Sequence, residues 1–152
     1  MDALVFLNLF GCGIVTGTYT FELLVVVSAT NTAPPALSAQ IHRALFSHLP
    51  NRFMPWMGMS GGLAAIALLI VEDGLSGTAT ALYAIGEVFW VATFVILVGM
   101  SRPIDKKITR WVETSFPEEE YPATRKHWDR LMFVRGPLGL AAFALFILAT
   151  LS

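Results

Sequence analysis

Residues 78–100 read TATALYAIGEVFWVATFVILVGM, with Glu87 the single Asp, Glu, Lys, Arg or His in the run. A stretch of that length, apolar around its whole helical circumference, matches the roughly 20 residues a helix needs to cross the hydrocarbon of a bilayer. Outward from it, three more blocks share its character: Ala3 to Ala29, Pro55 to Val71 and Met132 to Leu151. The 152-residue chain is 55% hydrophobic and only 14% charged, against about a quarter charged in an average soluble domain. Polar side chain is too scarce to cover a soluble globule. The reading is an all-α membrane four-helix bundle with cytoplasmic interfacial helices, one domain spanning residues 1–152.

Orientation follows from the cations. All ten Lys and Arg residues lie in or beside two of the three connections, 30–54 and 101–131, and none lies in Glu72 to Gly77 or at the termini. Those two connections share a face, so the positive-inside bias predicts both to be cytoplasmic, with both termini on the opposite side. The first block reads as a retained span and not as a secretory signal, because only Met1 and Asp2 precede it and no positive n-region is present. In the first loop Leu37, Ile41, Leu45 and Leu49 repeat every four residues, which predicts a short amphipathic helix lying apolar side down in the interface. The third loop begins at Pro103, and a helix starting after Pro122 is predicted to run into the fourth span and to kink at Pro137.

The candidate functional residues are ionisable groups inside the spans. Glu22 and Glu87 are costly there, about 2.5 to 3.5 kcal/mol each on insertion scales, so such residues normally face a bundle interior and find partners. They lie about 9 Å apart in depth at 1.5 Å per residue, too far for a shared proton without helix tilt. Arg135 stands inside the last block and cannot lose its charge. It either snorkels to the headgroups or, with Asp105 or Glu22 across the bundle, holds an anionic ligand. Glu22, Glu87 and Arg135 are predicted to point inward. Trp128 and Arg135 are seven apart and share a helix face, close to His127 and Arg130. Tyr83, Phe89 and Trp90 supply either an aromatic wall or plain packing. Gly13 and Gly17 form a GxxxG, predicted to mark a close helix crossing.

Several chemistries are disfavoured. No histidines face each other within the bilayer, so haem is not expected. His42 and His48, six apart, lie on different helix faces and read as solvated interfacial residues, leaving no metal site. Cys12 is the single cysteine, so neither a disulfide nor a CxxC exchange pair exists.

The segments Arg102-Pro103-Ile104-Asp105-Lys106-Lys107-Ile108 and Trp128-Asp129-Arg130-Leu131-Met132-Phe133-Val134-Arg135 resemble the anthrone oxygenase-like family (DUF1772), small four-helix membrane proteins. The family pattern is a Pro-Ile-Asn step after the third helix and a Trp-x-x-x-His-x-x-Arg entry to the fourth. Pro103, Ile104, Trp128 and Arg135 match, while Asp105 stands in the place of the Asn and Met132 in the place of the His. The resemblance implies an oxygenase that acts on a flat phenolic, polyketide-like substrate without an organic cofactor. In that reading Arg135 stabilises an oxyanion, Asp105 or Glu22 takes a proton, and Glu87 is a further candidate catalytic carboxylate. Trp128, Arg130, His127 and Tyr83 then form the substrate contacts. The competing readings are a non-catalytic membrane protein that binds a lipid, a quinone or a partner subunit, and a small transporter with Glu87 as proton carrier. A hydrophobic small molecule or lipid is the expected partner and nucleic acid is not. A homo-oligomer stays open.

Overall fold

The computed structural model describes residues 2–46 and 49–152, and these residues are helical without a strand. Among the described residues five helices form: α1 Asp2–Thr32, α2 Pro35–Phe46, α3 Leu49–Val71, α4 Gly77–Glu113 and α5 Tyr121–Thr150. Four of them, all but the short α2, are long and apolar enough to cross a membrane. Their outward surface says the same, since Phe6, Leu24, Leu63, Val88 and Phe133 are each at least 60% exposed. Water would penalise so continuous an apolar coat, whereas acyl chains do not. The chain is an integral membrane helical bundle.

The four long helices close into a ring in which α1 packs on α3 and α5, and α4 packs on α3 and α5. Ser76 starts α4 as its N-cap, its hydroxyl accepting the Ala79 N–H at 3.0 Å. Asn8 ties α1 to α3 by donating to the Gly61 carbonyl at 3.0 Å. The tightest helix crossing is beside it. A Cβ placed on Gly11 would come within 2.7 Å of the Met57 carbonyl oxygen, and one on Gly61 within 2.9 Å of the Cys12 nitrogen. Only glycine allows these backbones to meet. The GxxxG pair is not that crossing: a Cβ on Gly17 would touch nothing within 4 Å, and one on Gly13 would meet only the Phe143 ring.

The helices also run beyond the spans that hydropathy marks. α4 continues through Pro103 to Glu113, so the connection to α5 shrinks to residues 114–120. Each of α1 and α4 contains one turn of π-helix, Glu22–Val26 and Ile96–Ser101. There the Val27 and Arg102 N–H groups bond to carbonyls five residues back, at Glu22 and Leu97. The wider turn before Pro103 absorbs the ring that would otherwise collide with the preceding helical turn. Pro137 does not interrupt α5, which is continuous to Thr150.

At one end of the bundle α2 folds against the extension of α4 and closes a second apolar cluster that includes Val26, Phe46, Ile108, Tyr121, Trp128 and Met132. Its leucine stripe meets this cluster only in part: Leu45 packs against it, whereas Leu37 is largely exposed. The neighbouring stripe, Ser38, His42 and Phe46, about 100° round the helix, is buried.

Candidate functional site

The buried polar residues concentrate where α1, α2, α4 and α5 meet. Arg135 is 2% exposed and Glu22 6%, and the two form an ion pair through Arg135 Nη2 and Glu22 Oε2. The guanidinium lies over the Tyr19 ring, 4.3 Å from its centre, and Nη2 also donates to the Met132 thioether at 3.1 Å. Arg135 therefore does not snorkel; it is a fixed cation in the interior. The π turn matters locally, because Glu22 opens it and an extra residue in the turn re-aims the side chains around it.

One helical layer away, Asp105 Oδ1 accepts from Trp128 Nε1 at 2.8 Å and from His42 Nε2 at 3.1 Å. Behind the histidine, Arg125 Nη1 stands 2.9 Å from Nδ1. A guanidinium can only donate, so Nδ1 must accept, and the ring proton is on Nε2, directed at Asp105. Burial, aided by the neighbouring Arg125 charge and opposed by Asp105, pushes the His42 pKa below its ordinary 6.5. A neutral imidazole with a single defined tautomer results. Arg125 is completed by an ion pair with Asp129 at 2.9 Å and by the Trp128 face, 4.2 Å from its guanidinium carbon.

The Glu22–Arg135 pair and the Asp105–Trp128 bond border one cavity, walled also by Tyr19, Phe46, Met54 and Leu97. Its volume is about 20 Å³, room for about one water. Four of the residues singled out in the sequence, Glu22, Asp105, Trp128 and Arg135, thus come together from three helices. The others do not join them. Glu87 is half-buried in a different groove, between α3 and α4, and does not reach the cavity that Glu22 and Arg135 share. Tyr83 is buried against Phe146 in the other apolar cluster, away from the cavity. His127 and Arg130 are exposed on α5, on faces turned away from Trp128.

His42 is the residue that sequence reasoning misplaced. It is fully buried and not solvated, while His48 lies outside the described residues. The signal was the Ser38-His42-Phe46 stripe at intervals of four, one residue along from the more conspicuous leucines. Arg125 was passed over because it stands before the apolar block. Among the described residues no three His, Cys, Asp or Glu side chains are grouped to hold a metal ion, and Cys12 is buried and unpaired. The fold and site therefore define a four-span membrane protein with a buried charged centre. No family model, characterised protein or solved structure matches the chain.

Proposed function

We propose that the chain is a membrane-embedded oxygenase of the anthrone oxygenase type, which converts the methylene of a flat phenolic substrate to a carbonyl with dioxygen. The observation that supports this reading is the convergence of Glu22, Asp105, Trp128 and Arg135 on one small, largely buried cavity. Atoms and electrons balance when one methylene and one dioxygen give one carbonyl and one water. Glu22 takes the methylene proton as the negative charge passes to the substrate oxygen, and Arg135 changes counter-ion without changing its own state. Because net charge in the cavity is conserved, the transfer avoids creating an isolated ion in a low-dielectric site. The carbanion reduces dioxygen, the two combine as a peroxide, and loss of water leaves the carbonyl. Asp105, occupied by Trp128 and His42, orients the Trp128 ring for stacking. The imidazole that the family carries at the Met132 position has a counterpart here in His42, one residue removed from the cavity behind Asp105.

A three-ring substrate does not fit about 20 Å³, so in this reading Phe46 and the flexible Met54 move aside on entry. The same small volume favours a second reading, a non-catalytic protein in which the pair fastens the bundle and a lipid or quinone binds elsewhere. The orientation that accompanies both readings has loops 30–54 and 101–131 in the cytoplasm and both termini outside. Oxygen uptake with emodin anthrone separates the two readings. Membranes with the intact protein are expected to exceed spontaneous oxidation in empty membranes, and Glu22→Gln to remove the excess. No excess with the intact protein, or an equal excess in the variant, rejects the mechanism.

A further inference from the structure

The groove that takes Glu87 away from the cavity is an independent site. It holds about 170 Å³ between α3 and α4 and shares no lining residue with the Glu22–Arg135 cavity. Its floor is glycine, Gly58 and Gly62, and its walls include Trp90 and Phe94. The rim residues Leu63, Val91 and Val95 are largely exposed and apolar, so the opening is sideways, toward acyl chains. Among the described residues that line it, Glu87 is the one ionisable group.

Among the described residues the carboxylate has no partner. Glu87 Oε2 is buried with no hydrogen bond, and no cation among the described residues pairs with it. The nearby indole does not help, because Trp90 Nε1 already donates to the Gly58 carbonyl at 3.0 Å. An N–H bond in the ring plane does not use the π face. Space for the carboxyl is specific to glycine: a Cβ on Gly62 would come within 3.2 Å of Glu87 Oε1 and 2.9 Å of Trp90 Cδ1. An acid in hydrocarbon without a donor is costly, and what is missing is a donor, best a cation, attached to an apolar body.

We propose that the groove between α3 and α4 binds, from the bilayer, a lipophilic molecule carrying one protonated nitrogen. The nitrogen pairs with Glu87 beside the Trp90 ring, and the apolar part fills the space over Gly58 and Gly62. Charge complementarity and cation–π attraction act on the same group. A neutral pair is then all that the hydrocarbon has to accommodate. A recess of about 170 Å³ suits a single ring with a short amine arm; a partner helix would require a longer furrow.

The test uses the full chain in nanodiscs of zwitterionic lipid, with 4-bromophenethylamine as the probe and bromine quenching of tryptophan fluorescence as the readout. Quenching in empty-lipid controls is set by free tryptophan octyl ester. Saturable quenching is expected with the intact protein, at least tenfold weaker binding with Glu87→Gln, and loss of most of the amplitude with Trp90→Phe. The neutral analogue 1-bromo-4-propylbenzene, on the unaltered protein, is expected to bind at least tenfold more weakly; this arm does not depend on any variant folding. Equal binding of the neutral compound, or of the amine to a folded Glu87→Gln protein, overturns the proposal. So does an intact protein that binds no amine and changes from dimer to monomer on Glu87→Gln, because a second copy would then fill the groove.

Discussion

Arg135→Met removes the cation from a pair whose members are 2% and 6% exposed. Glu22 is then left as a buried carboxylate whose one ion-pair partner among the described residues is gone. Removing one member of such a pair costs about 3 to 5 kcal/mol, and loss of the Tyr19 contact at 4.3 Å adds about 0.5 to 2 kcal/mol. Together these are about 3.5 to 7 kcal/mol, so the folding equilibrium should fall by roughly several hundredfold to a hundred-thousandfold, at 1.36 kcal/mol per factor of ten. Glu22→Leu combined with Arg135→Met removes both charges and keeps the volume, so stability should return to within about 2 kcal/mol of the parent. The assay is equilibrium unfolding in mixed detergent and SDS micelles, followed by circular dichroism, for the parent, both single variants and the double variant. The coupling energy of the cycle should be about 2 kcal/mol or more. Additive effects, with the double variant as unstable as the two singles summed, would refute a mutually dependent pair.

Three further outcomes are expected. Gly11→Ala places a methyl 2.7 Å from a backbone oxygen and should lose about 1 to 3 kcal/mol, whereas Gly17→Ala, with nothing within 4 Å, should be neutral or gain up to about 1 kcal/mol; the reverse order in the same unfolding assay would place the crossing elsewhere. His42 is held neutral, with a folded pKa below its ordinary 6.5, so as pH falls below that value the unfolded chain binds a proton the folded one refuses. Its contribution is intact above 6.5 and declines until the folded pKa is reached; the stability gap between the parent and His42→Gln should therefore shift against the parent on going from pH 7 to 5, and a pH-independent gap would show a charged or solvated ring. In a Cys12→Ala background, a cysteine at Ser152 should be labelled only from outside and one at Glu119 only from the cytoplasm, and the opposite labelling inverts the topology.

The four crossings were legible because hydrocarbon thickness imposes a length, and blocks such as Thr78 to Met100 can hardly satisfy it otherwise. Their ends were not. α4 outlives its apolar stretch because residues 102–113 form an amphipathic continuation that buries Ile104, Asp105 and Ile108, and a proline taken as a stop is accommodated by the wide turn before it. The ionic centre was half legible. Arg135 and Glu22 stand out by charge in an apolar context, and Trp128 and Asp105 by the family resemblance. His42 was read as solvated although it is fully buried, since a residue's place in a loop does not reveal which face of its helix meets protein. In α2 the leucines were expected to face the interface, and the stripe beside them, Ser38, His42 and Phe46, is the one that is buried.

The π turn at Ile96–Ser101 acts as a phase adjuster between two stretches of one helix. Upstream, Ala79, Tyr83, Gly86, Trp90 and Thr93 keep an i, i+4, i+7 rhythm set by contact with α5 and α3. Downstream, Ile104, Asp105 and Ile108 obey a separate rhythm set by α2 and Trp128. One residue of slack corresponds to about 100° of rotation, so the angular address of Asp105 is independent of the register in which the membrane portion packs. Substitutions that reshape the bilayer half of α4 can accumulate without swinging the carboxylate, whereas deletion of a single residue from the turn would rotate it off both Trp128 and His42 while leaving the crossing untouched.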